Sequence, residues 1–576
     1  MPYAAPLAEM RFVLDAVAGS AELSADILGP VLGEAARLAE SVIAPLNQPA
    51  DRVGSVLENG VVRTPAGFRE AYARYVEGGW NGLSADPEYG GQGLPLLLAA
   101  PVGEMWNSAC MSFALCPLLN LAAVEVLQRH GSDAQKQLYL AKLVSGEWTG
   151  TMNLTEPQAG SDLGPLRTRA VPAQGSGWGD SYRITGQKIF ITWGDHDLAP
   201  NIVHMVLARI AGGPSGSRGL SLFLVPKYLP DENGAPGRRN GVRTLSLEHK
   251  LGIHGSPTCV LDYEDATGWL VGAEHRGLEA MFVMMNNARL NVGLQGVAIA
   301  ERAYQEARDF ARTRVQGHPI GAAADAGALA IIHHPDVRRM LLWMRAGTQA
   351  MRALAYYAVA LVEGDAAARR RAELLTPVVK AWCSDLAVAI ASTGIQVHGG
   401  MGYIEETGAA QYLRDARIAP IYEGTNGIQA GDLVGRKLRH DRGMAAAELF
   451  ADIETTIVAL DRPHPHLAGV GAELRRGLAA LRAATSDLVG AAEDRAAAGA
   501  APYLEIFGIV ASGWLIARQA LAADRQITVG DGDALFLAAK IQTARFFAEH
   551  FLARAPGCLA AALGGGTVLA FDPDRL

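Results

Sequence analysis

A block of short β-rich runs at residues 151–276 is the feature that most limits how this 576-residue chain can fold. Outside the block, apolar residues recur every three or four positions, as in residues 23–42, 118–143 and about 277–440. That spacing indicates helices with one buried face, whereas the block favours strands. The order predicts an α+β chain, mostly α, whose strands form a domain of their own.

The block contains five runs in which strands are expected: residues 182–184, 188–192, 202–208, 220–225 and 258–263. Turn-forming residues at 175–179 and 212–219 separate several of these runs. Short strands at this spacing predict a compact antiparallel domain of about 120 to 130 residues.

The chain is longer than one hydrophobic core usually supports, so several domains are expected. Their predicted bounds are 1–150 for a helical domain, 151–276 for the β-domain, 277–440 for a helical bundle and 441–576 for a helical extension. The extension is rich in alanine, and we expect its helices between about residues 467 and 555. Pro463, His464 and Pro465 indicate a linker before them.

Composition excludes several classes of protein. Hydrophobic residues make up 49% of the chain and charged residues 19%, which is typical of a well-buried globular enzyme. The net charge is −8, with no long basic block, so nucleic acid is not expected as the main partner. The first eleven residues carry Glu9 and no continuous apolar stretch, which argues against a secretory signal. Apolar runs such as residues 511–521 contain a charge and are shorter than a membrane span, so we expect a cytoplasmic protein without a membrane partner.

The cysteines give no sign of a metal site or a disulfide framework. There are five of them, with no CxxC pair and no histidine at ligand spacing. Buried free thiols are therefore expected, and no metal. Neither GxGxxG after a strand nor GxxxxGK[ST] occurs, so a Rossmann domain and a P-loop are both unsupported.

The first candidate binding segment lies where the helical pattern gives way to strands, and the second lies within the β-rich block. In residues 153–162 an irregular backbone could leave the hydroxyls of Thr155 and Ser161 free for a ligand, although an ordinary interdomain linker fits as well. In residues 186–194, a strand with Phe190 and Thr192 on one face could present a ring and a hydroxyl to a flat cofactor. A plain strand with an aromatic side chain in the core is the alternative.

A third segment, residues 396–403, places three glycines within four positions after a helical run. Glycines allow close backbone approach, and their amides could cradle a phosphate group. A helix terminator is an equally good interpretation. His398 could act as a base, but a histidine beside glycines is more often structural.

The fourth segment includes Tyr422, Glu423, Gly424 and Thr425 in an apolar and aromatic context. Burial there would raise the pKa of Glu423 and suit it to work as a base near neutral pH. Thr425 could cap the helix that follows. A surface glutamate before a helix is the alternative. Just upstream, Arg414 and Asp415 are expected to pair with each other.

Taken together and in this order, the segments resemble the acyl-CoA dehydrogenase family. The resemblance begins at the loop of residues 86–91, which runs Asp-Pro-Glu-Tyr-Gly-Gly, and ends at Gln429. It implies an N-terminal helical domain, a middle β-barrel-like domain and a C-terminal helical bundle, with FAD between them, and here an extra helical C-terminal domain. Gln158, His398 and Asn286 depart from the residues common in the family.

The resemblance assigns site residues position by position. It implies FAD contacts from Met152, Leu154, Thr155, Ser161, Phe190, Ile191, Thr192, Arg314, Gln316, Gln396, Val397, His398, Gly399, Gly400, Thr425 and Gly427. In the family, Arg314 and residues 396–400 would reach the FAD of a neighbouring subunit. Contacts to the acyl-CoA substrate are implied for Ser161, Asn286, Arg289 and Gly424.

The resemblance also implies a reaction in which Glu423 removes the α-proton of an acyl thioester and FAD takes the β-hydride. The product is a trans-2-enoyl-CoA, electrons pass to an electron-transfer flavoprotein, and the enzyme is a homodimer. Residues 2–12 and 248–255, with the long tail, are similar to the branch that contains 3-(methylthio)propanoyl-CoA dehydrogenases. That branch also includes enzymes for ordinary fatty acyl-CoAs.

Two alternatives stay open at this stage. An acyl-CoA oxidase would use the same base and flavin but give its electrons to oxygen. A DNA-associated flavoprotein of the alkylation-response type would bind DNA through its C-terminal helices. Residues 441–576 hold 12 basic and 16 acidic residues, a net charge of −4, and such a surface is poorly suited to neutralise phosphates.

Overall fold

The computed structural model describes residues 2–19, 25–176, 179–321, 327–461 and 467–576. The linker expected at Pro463, His464 and Pro465 lies outside the described residues, as does the centre of the turn expected at 175–179. The fold is mostly helical with a sheet-containing middle domain, as the sequence predicts.

The N-terminal helices include one long helix, which is kinked at Cys110. They are α1 Leu7–Val13, α2 Ala25–Leu38, α3 Asn47–Val53, α4 Phe68–Glu77, α5 Leu96–His130, α6 Asp133–Gln135 and α7 Ala141–Ser145. A hairpin of β1 Val56–Glu58 and β2 Val61–Arg63, which the helical pattern does not predict, lies between α3 and α4. The turn-rich loop before α5 is present: Asp86 accepts a hydrogen bond from the Glu88 N–H, and Gly90 has a φ of 87°.

The middle domain closes on itself. Its strands are β3 Thr149–Asn153, β4 Arg169–Ser176, β5 Gly179–Thr192, β6 Ile202–Ile210, β7 Leu220–Pro226, β8 Tyr228–Pro230, β9 Pro236–Arg239, β10 Val242–Leu247 and β11 Thr258–Val271. Strands β11, β5, β4, β6 and β7 pair in that order, and β7 pairs again with β11, which gives a barrel-like ring. Strand β3 adds to β6, and β10 adds to β11.

Two features of this domain differ from the sequence prediction. The expected antiparallel arrangement is wrong for two pairs, because β3 and β4 both run parallel to β6. The two runs expected at 182–184 and 188–192 form the single strand β5, which continues through Gly186 at a φ of 150°. A side chain at Gly186 would clash with Thr168, so glycine permits this passage.

The second helical region forms the bundle behind the barrel. Its helices are α8 Gly277–Thr313, α9 Pro335–Ala360, α10 Ala366–His398, α11 Ala409–Ala416 and α12 Asn426–Asp432. Helices α8 and α10 approach closely, since a Cβ atom at Gly293 would lie 2.4 Å from the Val379 side chain. Inside the bundle, Arg352 of α9 is fully buried between Glu104 of α5 and Glu301 of α8.

The extension packs against this bundle. Its helices are α13 Met444–Leu460, α14 Ala468–Gly490, α15 Glu493–Val529, α16 Ala534–His550, α17 Ala555–Leu563 and α18 Gly565–Ala570. Helix α15 contacts α9, α10 and α12. The amine of Lys540 on α16 reaches the carboxylate of Glu9 on α1 and donates to Gln349 on α9 at 3.1 Å. Both ends of the chain are thus joined to the bundle by buried polar contacts.

Three helices are long and apolar enough to cross a membrane by length and composition: Leu96–His130, Ala366–Tyr403 and Glu493–Val529. The expectation that the apolar runs are too short for a span is therefore wrong. Their most apolar windows are 89%, 78% and 83% buried inside the protein. Four of the cysteines are buried free thiols as expected, and the fifth, Cys558, is half-buried.

Candidate active site

Glu423 lies in a strained turn between α11 and α12. Its φ is 58°, and that of Gly424 is 81°, both in the left-handed region. A residue other than glycine at such a φ costs on the order of 1–3 kcal/mol and persists only where its surroundings enforce it. Helix α12 begins directly after, with the Thr425 hydroxyl accepting a hydrogen bond from the Ile428 N–H at 3.3 Å, as the sequence predicts.

Two buried side chains hold this turn. The Gln429 amide donates to the Glu423 carbonyl at 3.1 Å, and the Lys380 amine donates to the Gly424 carbonyl at 2.8 Å. Lys380 also donates to the Asn426 side chain at 2.8 Å. Sequence reasoning missed Lys380, because it comes from α10, more than forty positions before the turn, and no local pattern connects the two.

The electrostatics around Glu423 suit a proton acceptor. Burial raises the pKa of Glu423 above its usual value, and the charges of Arg289 and Lys380 pull that pKa back down. Burial lowers the pKa of Lys380 to about 8, against the opposing attraction of Glu423. The net result is a carboxylate whose pKa is raised yet restrained by two cations, which suits a general base.

The backbone N–H of Glu423 is also available. Among the described residues it donates no hydrogen bond, and neither do the N–H groups of Gly424 and Thr425, whereas the Asn426 N–H donates to the Pro420 carbonyl at 3.0 Å. An unpaired N–H beside a carboxylate is the arrangement needed to hold a carbonyl oxygen while a neighbouring proton is removed. The adjacent Tyr422 is fixed in place, as its hydroxyl donates to the Gln295 side chain.

A cavity of about 760 Å³ lies between α5, α8 and the start of α10. Arg289 and Asn286 line it from α8, so the structure brings these two predicted substrate residues to one space. Arg289 is 5% exposed, pairs with Asp432 at 3.3 Å and lies close enough to Glu423 to lower its pKa. Arg289 therefore both lines the cavity and acts on the Glu423 carboxylate, although Glu423 itself is not among the lining residues.

The cavity wall is mixed in chemistry. Apolar and aromatic lining comes from Trp80, Trp106, Ala114, Pro117, Leu118, Leu121 and Leu294. Polar lining includes Glu125, whose carboxylate accepts a hydrogen bond from the Asn287 amide at 2.9 Å, and Asn107, whose buried side-chain oxygen is unpaired within the described chain. Such a wall accommodates a chain of carbon atoms and offers a few polar points for orientation.

The first two predicted binding segments are adjacent in space. The Lys188 amine on β5 donates to the Leu154 carbonyl, and the Ile189 N–H donates to the Thr155 carbonyl, both at 2.9 Å. Met152 is buried on β3 immediately before. The loop after β3 is therefore attached to the end of β5 through backbone carbonyls. The Thr155 hydroxyl has no hydrogen-bond partner within the part of the chain that the structure describes.

The end of β5 presents an unusual aromatic residue. Phe190 has a φ of 58° and exposes 59% of its surface, while Ile191 is buried and Thr192 half-buried. A bulky residue at positive φ is a genuine outlier. Ser161 is also exposed on the neighbouring loop. An uncovered ring in a strained conformation beside these hydroxyl groups fits a site that a flat ligand covers.

A buried ion pair, missed from the sequence, anchors the loop that carries Thr155 and Ser161. The Lys188 amine lies 2.9 Å from the Glu156 carboxylate, and both side chains are almost fully buried. Burial would raise the pKa of Glu156, but Lys188 and the Thr168 hydroxyl lower it to about 2. The interpretation of this segment as a plain linker is therefore insufficient.

The glycine-rich segment ends α10 as a helix terminator and also offers open backbone. Gly399 and Gly400 are exposed, with empty space where a side chain would stand, and Gln396 is exposed beside them. Val397 and His398 point inward. The ring of His398 bonds the Gly394 carbonyl at 2.7 Å and packs on Phe310, with 4.4 Å between ring centroids.

The remaining predicted residues lie apart from the β3–β5 corner. Arg314, at the end of α8, is exposed and donates to the Gln316 side chain at 3.3 Å. Thr425 and Gly427 are exposed at the start of α12. Within the described residues of one chain, neither Arg314 nor the glycine-rich segment forms a hydrogen bond with that corner.

The expected pairing of Arg414 with Asp415 is wrong. Arg414 turns outward to Asp51, with one nitrogen–oxygen distance of 3.0 Å, and to Glu405 at 2.9 Å. Asp415 points into the protein and accepts a hydrogen bond from the Ile253 N–H at 2.5 Å. Neighbouring residues on a helix face different directions, which explains why adjacency in sequence is misleading here.

Comparison with protein-family models matches four consecutive regions. The N-terminal domain of acyl-CoA dehydrogenase matches residues 32–147, its middle domain 151–266 and its C-terminal domain 275–438. The chain belongs to the acyl-CoA dehydrogenase family. A further model, described as acetyl-CoA dehydrogenase C-terminal like, matches residues 449–572.

Curated relatives of this acyl-CoA dehydrogenase family member extend over nearly the whole chain. The 3-methylmercaptopropionyl-CoA dehydrogenase of Ruegeria pomeroyi is 48% identical and covers 96% of each chain. A broad-specificity linear acyl-CoA dehydrogenase of Mycobacterium tuberculosis is 35% identical over 92% of this chain and 91% of its own. In fold, the chain is similar to an acyl-CoA dehydrogenase from Bacillus anthracis complexed with FAD, with 22% identity, a TM-score of 0.76, and coverage of 98% and 92%.

The residues present fit FAD, the cofactor expected for this family. An uncovered ring at Phe190 and hydroxyls at Thr155 and Thr192 suit the flavin, and the open backbone at Gly399 and Gly400 suits close approach by a polar group. Whether each predicted residue contacts FAD stays a prediction.

Proposed function

We propose that this chain catalyses FAD-dependent α,β-dehydrogenation of an acyl-CoA thioester to a trans-2-enoyl-CoA. The observation that carries the proposal is Glu423, a carboxylate with a raised pKa that is held at positive φ. Its backbone N–H has no partner among the described residues, and its neighbour Arg289 lines a cavity. Family membership over the whole chain and the named dehydrogenase relatives support it.

Different residues of the chain have different roles in this reaction. The Glu423 N–H donates to the thioester oxygen and stabilises the negative charge that develops there as the α-proton leaves. The Glu423 carboxylate accepts that proton. Met152, Leu154, Thr155 and the other predicted FAD contacts hold the cofactor, which when bound supplies the acceptor for the β-hydrogen.

We further propose a short thioether acyl chain, 3-(methylthio)propanoyl-CoA, as the preferred substrate. The 48% identical relative is named for this activity. Two tryptophans in the cavity wall, Trp80 and Trp106, pack with 5.3 Å between ring centroids. Sulfur–aromatic contacts are favourable by about 0.3–1.5 kcal/mol, which would select a thioether over a methylene group of similar size.

The test is anaerobic bleaching of the flavin by a panel of acyl-CoA substrates. Pentanoyl-CoA is the matched control for 3-(methylthio)propanoyl-CoA, because it replaces the sulfur by a methylene group. We expect both to bleach the flavin, with a higher kcat/KM for the thioether. Equal kcat/KM values for the two substrates would contradict the thioether proposal. If no acyl-CoA bleached the flavin, the proposed reaction would be contradicted. Peroxide release in air would instead indicate an oxidase.

An electron-transfer flavoprotein as acceptor and a homodimer as the assembly are also proposed. Support for the dimer comes from the exposed positions of Arg314, Gly399 and Gly400, which would be explained if they serve the FAD of a second copy. We propose a cytoplasmic location as well.

A further inference from the structure

Lys380 is a buried cation. Among the described residues, its hydrogen-bond acceptors are in the turn that follows the predicted base and at the start of α12. Its residue is 0% exposed, on the face of α10 that meets the start of α12. Its amine lies 2.8 Å from the Gly424 carbonyl and 2.8 Å from the Asn426 side-chain oxygen. A buried ammonium is costly, so its placement against a backbone carbonyl calls for an explanation.

The neighbours of Asn426 show that this contact is part of a larger support. The Asn426 amide donates to the Ser384 hydroxyl at 2.9 Å and to the Ala381 carbonyl at 3.1 Å. One turn of α10 therefore fixes the residues on the C-terminal side of Glu423. The strained backbone at Glu423 and Gly424 needs such support, since both adopt positive φ.

We propose that Lys380 is a positioning residue for the dehydrogenation, which holds the Gly424 carbonyl so that the Glu423 carboxylate and N–H face the thioester together, and which supplies a positive charge that keeps the carboxylate ionised. The proposal rests on the function assigned to Glu423 above. It assigns Lys380 no contact with substrate.

The charged and titratable groups around Glu423 come from four elements. Arg289 faces it from α8, Lys380 from α10, and Tyr422 precedes it in the same turn. Asp432 of α12 acts on it through its pair with Arg289, and Asp385 of α10 through its attraction for Lys380. Lys380 is thus one of two cations that act directly on Glu423.

The first measurement is the pH dependence of kcat/KM in Lys380→Met, which keeps most of the side-chain length and removes the charge. Without the cation the pKa of Glu423 rises, so the acid limb of the profile should shift to higher pH by about one unit. Losing the carbonyl anchor should also lower kcat by about 10²-fold, the effect typical of a misplaced oxyanion donor. Gln429→Met is the matched control: it removes a neutral anchor from the Glu423 carbonyl and should lower kcat without shifting the acid limb.

The second measurement needs no turnover. Calorimetric titration compares the enoyl-CoA product with an S-alkyl-CoA of the same chain length, which lacks the carbonyl that the Glu423 N–H would bind. The wild-type protein should favour the enoyl-CoA, and Lys380→Met should lose most of that preference. Lys380→Gln can still donate to the Gly424 carbonyl, so it should keep the preference while its acid limb shifts.

An unshifted acid limb in both Lys380 variants, together with an unchanged preference for the carbonyl, would overturn the proposal, whatever happens to kcat. If Lys380→Met does not fold, the pH of the acid limb of kcat/KM in Lys380→Gln tests the proposal by itself. If acyl-CoA bleaches the flavin of the wild-type enzyme, and both variants match the wild type in acid limb and in carbonyl preference, only the role of Lys380 is refuted. A wild-type protein that neither bleaches nor distinguishes the two CoA compounds refutes the proposed function itself.

Discussion

Asp415 lies near the end of α11, eight residues before Glu423, and shows how burial controls a single charge. It is 2% exposed and accepts hydrogen bonds from the Ile253 N–H and the Gln411 amide at 2.5 and 3.2 Å. Burial raises its pKa to about 6, with Asp51 adding to the effect. The folded state therefore binds the Asp415 proton more tightly than the unfolded state does.

This raised pKa gives a pH-dependent prediction for stability. Below pH 4 Asp415 is protonated in both states. As the pH rises from about 4 to 6, Asp415 ionises in the unfolded state but stays protonated in the native state. The free energy of unfolding therefore falls by roughly 3 kcal/mol. Asp415→Asn keeps an acceptor for the Ile253 N–H and removes the ionisation. We expect the variant to be as stable as the wild type at pH 4 and more stable at pH 7.5, measured by thermal unfolding. A constant difference between the two proteins across this range would contradict the account.

At the same scale, sequence reasoning identified Glu423 but not its supports. A carboxylate in an apolar motif is visible in sequence, and its raised pKa is confirmed by the structure. Lys380 and Arg289 act from distant helices, and only Arg289 was reached, through the family resemblance. Gln429 follows the turn closely, but its contact with the Glu423 carbonyl was not predicted. Positive φ at Glu423 and Phe190 could not be predicted, because tertiary contacts impose it against local preference.

At the scale of elements, the prediction succeeded where periodicity is strong. Helix α8 begins at Gly277, the position at which helical spacing resumes in the sequence. Strand β3 was missed because its residues, Thr149–Asn153, are all buried and include polar ones, so no alternation is visible. The hairpin of β1 and β2 was missed since three-residue strands are too short for any periodic signal.

The docking of α16 on α1 provides a prediction about an element. Lys540 and Glu9 form an ion pair with side chains 1% and 8% exposed. Removing one partner of a buried pair leaves the other unpaired, which costs about 3–5 kcal/mol. Lys540→Met should therefore lower the midpoint of urea unfolding strongly, whereas the double variant with Glu9→Gln should recover most of the loss. If the double variant is as unstable as the single one, packing rather than charge joins these helices.

For the whole molecule, the order of helices, barrel and helices was predictable. The change from helical periodicity to short β-rich runs and back is visible along the sequence. The closure of the barrel was implied by the family resemblance, and the parallel pairs of β3 and β4 with β6 were not predicted. Strand pairing between distant segments depends on three-dimensional packing that no local pattern records.

Assembly is the prediction that belongs to this scale. We expect light scattering of the FAD-bound protein to give twice the chain mass of 60.8 kDa. If Arg314 binds the cofactor of a second copy as proposed, Arg314→Ala removes a charge-assisted hydrogen bond, typically worth about 1.5–3 kcal/mol, and should weaken FAD retention roughly tenfold to a hundredfold. A tetramer, or FAD affinity unchanged in the variant, would count against shared cofactor sites.

The most direct test of the whole account is flavin reduction by Glu423→Gln in anaerobic stopped flow. Glutamine keeps the size and much of the hydrogen bonding of glutamate but accepts no proton, and the backbone N–H is retained. We predict a folded, yellow protein that still binds acyl-CoA, with flavin reduction slowed by at least about 10²–10⁴-fold. His398→Ala serves as the control and should keep substantial activity, because that ring packs on Phe310 and bonds the Gly394 carbonyl. Flavin reduction by Glu423→Gln at a rate near that of the wild type would show that another group removes the α-proton.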